Sequence, residues 1–379
     1  MTWLGILARG GAAAAVLALC ACGRPEGMLI PVENPPANAD KVDMLVATTR
    51  APSETPGVVF NGERGNGLSF ANVVVSIPPN RQVGSIQWPT QAPGDPAREF
   101  AVTSLSNVQR ADVGKWLATT GKRRVLIFVH GFNTRFDGAV FFFAQFVHDM
   151  NASLAPVMFS WPSRGSALDY VYDRESTNFS RSDLAYVLRA AASSPKVDEV
   201  VVLAHSMGAW LTMEALRQLA LEQGRIPAKI SNVILASPDL DVDVFRRQVV
   251  EMGEKRPDIT IFVSRNDRAL GLSSFIAGGV TRVGAVDLSQ EPYRSQLEAA
   301  RGITVLDLTA LQSGDPLNHG KFANTPEAVQ LLGNRMVAGQ TISEGEGGGN
   351  GAVAAQAVGN TVGAVVAAPI LIFSAGMRN

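Results

Sequence analysis

Short apolar runs recur through the middle of the chain, and segments with helical periodicity separate most of them. Continuous apolar runs of this length are typical of strands buried on both faces of a sheet. The six runs are VLIFVH (125–130), VMFSW (157–161), VVVLAH (200–205), ISNVILAS (230–237), ITIFVS (259–264) and ITVLDL (303–308). Helices are predicted over 137–150, over 181–192, from Ser206 through Leu219, and from Thr325-Pro326 onward. The alternation predicts an α/β fold with a mostly parallel central sheet and helices on both faces.

Two further apolar segments, VDMLVATTR (42–50) and ANVVVSIP (71–78), precede this pattern. No helical segment separates them, so they are predicted to enter the sheet as antiparallel neighbours. We therefore place one α/β domain at 42–340, with a Pro-rich tether over 22–41 before it. A Gly-rich linker and an apolar tail, 341–379, follow it. The longest apolar run of that tail, Val362 to Phe373, has twelve residues, fewer than the ~20 that span a bilayer.

Residues 1–21 have the pattern of a secretory signal, with Arg9 before a short apolar run, Ala12 to Leu19. The run ends Leu19-Cys20-Ala21-Cys22, which resembles a bacterial lipoprotein lipobox. The resemblance implies cleavage before Cys22 and a lipid on its thiol; ordinary signal cleavage nearby is the alternative. The chain is then expected on the periplasmic side of a bacterial cell envelope, attached to a membrane through Cys22, with the tail as a second candidate for membrane contact. Gly23 and Arg24, with no aspartate after the cysteine, favour the outer membrane by resemblance to lipoprotein sorting patterns.

Composition narrows the class of function. The 379 residues carry 33 basic and 34 acidic side chains, a net charge of −1, which argues against a nucleic-acid partner. The two cysteines, Cys20 and Cys22, lie near the N-terminus, so the domain has no disulfide framework and no cysteine-based zinc site. No G-x-G-x-x-G follows a strand, and no spacing of acidic or histidine residues suits a hydrolytic metal. We expect no cofactor and no metal.

The candidate nucleophile is Ser206, in Ala204-His205-Ser206-Met207-Gly208. This is the G-x-S-x-G pattern with Ala204 in the first position, placed between a buried strand and a helix. The turn is so tight that only small residues fit at its two ends, and alanine is small enough. An acyl-transfer site also needs two N–H donors for the developing oxyanion, and the Met207 backbone N–H supplies one.

These motifs together resemble the α/β-hydrolase superfamily. VHGFN (129–133), the elbow and a late histidine carry that general likeness. A narrower set resembles a bacterial esterase- or lipase-like family long catalogued as a domain of unknown function. It comprises TTRAP near 48–52, the loop 62–65, SWPSRG (160–165), ASPDLDVDVF (236–245) and SRNDRAL (264–270). The resemblance covers roughly 42–338 and implies the α/β-hydrolase fold, serine-hydrolase chemistry, and the Phe132 N–H as the second oxyanion donor.

The general base is predicted by elimination among four histidines. His205 lies inside the elbow, with its side chain expected to point away from Ser206. His130 belongs to the oxyanion loop, where it is expected to brace the loop by hydrogen bonding. His148 lies in a predicted helix away from the strand ends. His319 remains, in a polar loop between the last strand and the last helix, where this fold carries its base.

Two aspartates compete as the acid that orients His319. Asp267 follows one predicted strand in a polar loop, and Asp239 follows the preceding strand. Acids at 241 and 243 indicate that the loop of Asp239 starts a helix, which would give Asp239 a structural role. By resemblance the position of Asp267 is the commoner one in the superfamily, so Asp267 is the predicted acid.

The sequence therefore predicts a serine hydrolase that cleaves a carboxylic ester, from a small molecule or a lipid, through an acyl-enzyme on Ser206. An acyltransferase or an amidase would share the same triad. A catalytically idle scaffold that binds an envelope partner is the alternative from another class of protein. Phe132, Phe136, Trp161 and Tyr170 could line an acyl pocket or simply pack in the core.

Overall fold

The computed structural model describes residues 24–36, 38–287, 289–291 and 302–337. The predicted signal peptide over 1–21, the predicted lipidation site Cys22 and the predicted tail over 341–379 lie outside these residues. Within the described part of the chain, no helix is long and apolar enough to cross a membrane.

A sheet of nine strands runs through the described residues in the order β3-β2-β1-β5-β4-β6-β7-β8-β9. The strands are β1 Asp40–Pro52, β2 Phe60–Ile77, β3 Ala101–Val108, β4 Arg124–Val129, β5 Ala155–Ser160, β6 Glu199–His205, β7 Ile230–Ala236, β8 Asp258–Val263 and β9 Ile303–Asp307. β1 pairs in parallel with β5, and every neighbouring pair from β5 to β9 is parallel. β2 and β3 are antiparallel additions at one edge. The predicted fold class is confirmed.

The strand β3 was not predicted from the sequence. Its segment AVTSLSNV alternates between buried and exposed positions, with only Ala101 and Val102 fully buried. Because β3 is an edge strand with one neighbour, half of its side chains are polar and no continuous apolar run marks it.

Helices connect the parallel strands. They are α1 Val113–Thr119, α2 Phe136–Met150, α3 Tyr170–Ser193, α4 Met207–Gln223, α5 Val242–Met252, α6 Arg268–Ile276, α7 Lys321–Asn324 and α8 Pro326–Val337. Short 3₁₀ turns precede α1 and α3, and another lies at Val283–Ala285. The helix α3 begins eleven residues before its predicted start. The prediction missed its first half because that half buries hydroxyl groups rather than apolar side chains. Ser180, for example, lies 2.8 Å from the Thr49 hydroxyl on β1.

The sheet is covered on both faces, as the continuous apolar strands require. On one face Leu184 of α3 and Leu211 of α4 are fully buried against the strands. On the other face Phe143 of α2 and Leu332 of α8 are fully buried. Layers on both sides exclude water from the strands, so polar groups that meet substrate must come from the loops at the strand ends.

Residues 24–36 differ from the predicted tether. Met28 and Leu29 are buried in the core, and the Val32 N–H donates a hydrogen bond to the Val102 carbonyl of β3 at 2.9 Å. This part of the chain therefore packs along the domain instead of running free. The sequence did not indicate this packing, because the apolar run Met28 to Ile30 is only three residues long and shows no strand or helix periodicity.

Candidate active site

Ser206 lies in a strained turn between β6 and α4. Its φ of 54° and ψ of −123° form a conformation that non-glycine residues rarely adopt. Three hydrogen bonds hold this backbone. The Ser206 N–H donates to the Ala236 carbonyl at 3.0 Å, and the Ser206 carbonyl accepts from the N–H groups of Ala209 and Asp239 at 3.0 and 3.1 Å. The strain is thus maintained by two neighbouring elements, which is how strained functional residues persist.

Two glycines let the loop after β4 approach this turn closely. A Cβ atom on Gly208 would lie 2.3 Å from the His130 carbonyl oxygen, closer than any real contact. A Cβ atom on Gly131 would lie 2.8 Å from the Ser206 Cβ. The loop residue that precedes Phe132 therefore lies directly against Ser206. The elbow pattern has a small residue at Gly208 because the position has no room for a larger side chain. Ala204, at the other end of the pattern, is fully buried.

The predicted oxyanion donors lie on the two sides of this contact. Met207 is the first residue of α4, so its N–H belongs to the first turn, whose N–H groups have no partner within the helix. Phe132 follows Gly131 in the loop, with its ring edge-on to Tyr170 at 5.2 Å between centroids. Both backbones are adjacent to Ser206, and the positive end of the α4 dipole lies there too.

His319 and Asp267 are brought together from two loops at the same end of the sheet. The His319 Nδ1 lies 2.7 Å from Asp267 Oδ2. The other carboxylate oxygen of Asp267 accepts the Leu270 N–H at 3.0 Å, which caps α6. One carboxylate therefore begins a helix and orients the imidazole, and its own orientation is set by the helix. The Asp267 side chain is fully buried, whereas that of His319 is 15% exposed.

Two further side chains hold the His319 loop, and sequence reasoning missed both. Asp315 Oδ2 accepts the N–H groups of His319 and Gly320 at 2.6 and 2.8 Å. The buried ammonium of Lys321 donates to Asn266 Oδ1 at 2.8 Å and to the Thr309 carbonyl at 2.9 Å. Because Asn266 precedes Asp267, Lys321 ties the loop of the acid to the loop of the base. Burial lowers the pKa of the Lys321 ammonium.

Asp239 has a different set of partners. Its side chain lies 3.2 Å from the Arg282 guanidinium in a buried ion pair, and it accepts hydrogen bonds from the hydroxyl groups of Tyr170 and Ser273. The helix cap expected in this loop is provided by Asp241, which accepts the N–H groups at 243 and 244. Asp239 is therefore engaged in a buried network beside the elbow, and within the described residues it makes no hydrogen bond or ion pair with His319.

His205 lies beside His319, a proximity that the sequence did not reveal. The two ring centroids are 4.7 Å apart, and His205 Nε2 lies 3.3 Å from the His319 carbonyl oxygen. Burial, with a smaller contribution from His319, holds the pKa of His205 well below its usual range. A neutral His205 can support the His319 loop without adding a positive charge next to the predicted base.

Arg50 lies fully buried beneath the loop after β4, and sequence reasoning did not single it out. Its guanidinium donates to Ser160 Oγ at 2.8 Å, Asn61 O at 3.1 Å, Ser163 O at 2.8 Å and Thr134 O at 2.7 Å. An arginine inside an otherwise apolar strand, at the end of Thr48-Thr49-Arg50, was the available signal. Burial lowers the pKa of Arg50 to about 10, and nearby Asp173 opposes that shift. Arg50 is therefore charged and holds four segments together.

His130 braces the loop as expected, and Arg50 determines its tautomer. Arg50 lies 3.3 Å from His130 Nε2 and can only donate, so Nε2 accepts. Nδ1 then carries the proton and donates to the Gly131 carbonyl at 2.9 Å. The ring stacks on Trp161, whose Nε1 donates to the His130 carbonyl at 2.8 Å. Burial and the Arg50 charge lower the pKa of His130 to about 3.

Of the four aromatic residues considered for an acyl pocket, Trp161 and Phe136 are core residues with at most 3% exposure. Phe132 and Tyr170 pack against each other beside the elbow. A separate cavity of about 1280 Å³ opens next to Gly131 and His205. Its apolar lining includes Met28, Trp88, Phe128, Phe141 and Phe142. Within the described residues, no cluster of three or more histidine, cysteine, aspartate or glutamate side chains could hold a metal ion.

The mostly parallel sheet, the strained serine between strand and helix, and the histidine–aspartate pair at the strand ends define an α/β hydrolase. A family model bears this out over residues 106–335, more than half of the chain. The chain belongs to the family described as alpha/beta hydrolase of unknown function (DUF900). Its fold and its family are those of the α/β hydrolases.

The individual proteins that are similar to this chain have low sequence identity to it. The uncharacterized protein alr1448 of Nostoc sp. is 26% identical over 166 residues, which cover 36% of this chain and 43% of that protein. The chain thus spans less than half the length of this relative. A putative hydrolase from Agrobacterium vitis has a TM-score of 0.37 at 12% identity, covering 73% of this chain and 95% of its own. Fungal esterases from Rhizomucor miehei have a TM-score of 0.36 at 14% identity, covering 79% and 83%.

The buried His130 predicts a loss of stability in mild acid. Its pKa of about 3 in the folded chain lies below the ~6.5 of an unfolded histidine, so the unfolded chain binds the proton more readily. The stabilisation is complete above pH ~6.5 and is lost as the pH falls toward 3. One such group contributes up to about 1.4 kcal/mol per pH unit, and His205 contributes in the same direction.

Urea unfolding at pH values between 6.5 and 5, above most carboxylate titrations, measures this slope. His130→Gln removes the titrating group, so its stability should fall less steeply with decreasing pH. Equal slopes in the two proteins would contradict the assignment. The NMR shift of the His130 ring in the wild type provides a second measurement, and it should show a neutral ring at pH 5.

Proposed function

We propose that this hydrolase cleaves a carboxylic ester through an acyl-enzyme formed on Ser206, with His319 as base and Asp267 as the acid that orients it. The observation that carries the proposal is the 2.7 Å contact between His319 Nδ1 and Asp267 Oδ2. The His319 ring also lies 4.7 Å from the ring of His205, the residue before the strained Ser206. The contact leaves Nε2 of His319 as the ring nitrogen that exchanges protons with substrate and Ser206.

In the first half of the reaction, Ser206 Oγ attacks the ester carbonyl carbon and His319 Nε2 takes the hydroxyl proton. The carbonyl oxygen becomes an oxyanion, which accepts hydrogen bonds from the Phe132 and Met207 N–H groups. The bond between the acyl carbon and the alkoxy oxygen then breaks, and His319 returns the proton to the leaving alcohol. The imidazolium that exists between these steps is stabilised by the Asp267 carboxylate.

In the second half, water replaces the alcohol. His319 takes a proton from the water, whose oxygen attacks the acyl carbon, and the Ser206 Oγ bond breaks as Oγ regains the proton. The products are one alcohol and one carboxylic acid. The cavity beside Gly131 and His205 supports a substrate with a sizeable apolar part, because large apolar side chains such as Trp88, Phe141 and Phe142 line it.

Ser206→Ala tests the nucleophile. The wild-type protein should react with a fluorophosphonate probe, which modifies activated serines, and the variant should not react. Turnover of a short-chain ester should fall by about 10⁴-fold or more. The control is Ser274→Ala, since Ser274 is a partly exposed serine of α6 whose hydroxyl donates to the Val280 carbonyl. A wild-type protein that stays unlabelled beside a reactive serine hydrolase would contradict the proposal.

The pair Asp267→Asn and Asp239→Asn tests the acid. Asp267→Asn should lower kcat by up to about 10⁴-fold, because the imidazole loses its orienting carboxylate. Asp239→Asn breaks a buried ion pair and should mainly lower the free energy of unfolding, by about 3–5 kcal/mol. Ester turnover and urea unfolding are measured on both variants. An active Asp267→Asn beside a folded but inactive Asp239→Asn would transfer the role to Asp239.

We also propose that the chain is exported to the bacterial envelope and anchored by lipid on Cys22, with the outer membrane favoured. Mass spectrometry of the mature protein should find its N-terminus at a lipid-modified Cys22. Cys22→Ala should leave the chain unprocessed or release it to the soluble fraction, whereas Cys20→Ala should still be lipidated. A soluble mature chain with an unmodified N-terminus would contradict this proposal.

A further inference from the structure

Several large apolar side chains are exposed at the carboxyl ends of the parallel strands, in segments next to the candidate active site. We call them the strand-end patch, and they are Leu168, Val171, Leu272, Phe275 and Ile276. Leu168 is 94% exposed and Phe275 is 80% exposed. On α6, Leu272, Phe275 and Ile276 are three and four residues apart and therefore share one helix face.

The two parts of the patch are neighbours in space. The Tyr170 hydroxyl, between Leu168 and Val171 along the chain, lies 3.0 Å from the Ser273 hydroxyl of α6. Both segments also adjoin the catalytic groups, because α6 is capped by Asp267 and Tyr170 packs on Phe132. A group of exposed apolar side chains in one place costs free energy in water, and such patches mark interaction sites.

The first described residues of the chain, Arg24 and Pro25, lie at the same edge of the domain. The Arg135 guanidinium donates to the Arg24 and Pro25 carbonyls, each at 2.9 Å. The Arg135 side chain in turn lies so close to Gly165 that a Cβ there would be 2.3 Å from its Cγ. Gly165 precedes Leu168 of the patch by three residues. Arg24 therefore lies on the edge that carries the patch.

This position limits what can lie against the patch. Cys22 is two residues from Arg24 and so within about 7 Å of it in an extended chain. The proposed lipid attachment at Cys22 thus meets the domain at this edge. Exposed Arg268 on α6 and Arg24, stacked over Trp88 at 3.6 Å, supply the basic and aromatic groups that favour an anionic lipid interface.

We propose that the strand-end patch docks on the surface of a lipid bilayer, so that the edge of the domain with Ser206 and His319 faces the lipid. The apolar side chains of the patch enter the interface by themselves, and the proposed lipid on Cys22 adds a second attachment at the same edge. The docking does not depend on the proposed ester hydrolysis, because no catalytic residue contributes a contact to the bilayer.

The experiment measures which edge of the domain touches lipid. In the full chain with Cys20→Ser and Cys22→Ser, single cysteines are introduced by Leu168→Cys or Phe275→Cys and labelled with an environment-sensitive fluorophore. The matched controls are Leu221→Cys and Val250→Cys, each at an apolar residue more than half exposed. These residues lie near the ends of α4 and α5, which start at the carboxyl edge and run to the opposite one.

Vesicles of phosphatidylethanolamine and phosphatidylglycerol, with brominated acyl chains as quenchers, are then added. Labels at 168 and 275 should shift to shorter wavelength and be quenched several-fold more than labels at 221 and 250. Equal quenching at all four positions, or at none, would overturn the proposal. No substrate is present, so loss of the proposed hydrolase activity would leave the result unchanged.

Two other outcomes would also overturn it, and each names a different occupant. A shift at 168 and 275 without vesicles that grows with protein concentration would assign the patch to a second copy of the chain. A shift without vesicles that is independent of concentration and disappears when 341–379 are deleted would assign it to the apolar tail.

Discussion

The close contact between the loop after β4 and the first turn of α4 is the constraint on which the site depends. Gly208 and Gly131 are the residues at that contact, and neither position has room for a side chain. The contact places the backbone of Phe132 beside Ser206. The strained serine thus lies where the loop after β4 packs against the first turn of α4. Any larger residue at either glycine would separate the two proposed oxyanion donors, which must converge on one atom.

Buried cations hold the loops around the site. Arg50 binds the carbonyl groups of the loops after β4 and β5, and Lys321 binds the Asn266 side chain after β8 and the Thr309 carbonyl after β9. Carbonyl groups in the loops at strand ends have no partner in the sheet, so a buried cation both satisfies them and adds to the hydrogen bonds that join these loops. Removing one of these cations would leave several buried acceptors without donors, which costs more than the single lost interaction.

The carboxyl edge of the sheet thus carries three features of different origin. It holds the serine, histidine and aspartate of the proposed triad, the exposed strand-end patch, and the point where the N-terminal segment meets the domain. The opposite edge carries isolated exposed apolar residues such as Leu221. The polar loops that follow parallel strands all lie on one side of the sheet. The proposed catalysis and the proposed contact with lipid are therefore concentrated on the same surface.

Much of this arrangement followed from the sequence alone. The continuous apolar strands predicted the parallel sheet, and the elbow pattern predicted the turn at Ser206, because both are dictated by local packing and backbone geometry. The proximity of His319 and Asp267 followed from their place after strands of one sheet, although their roles remain proposals. The edge strand β3 and the polar half of α3 were not predicted, because neither has a periodic pattern of apolar residues.

Only the tertiary structure decided the interactions between residues distant along the chain. The choice of Arg282 as the partner of Asp239, the contact of His205 with His319, and the four segments joined by Arg50 all depend on which loops meet in space. So does the burial of Met28 and Leu29 against the domain. A sequence determines where polar and apolar groups occur along the chain, whereas long-range packing determines which of them are neighbours and therefore which charges and hydrogen bonds are satisfied.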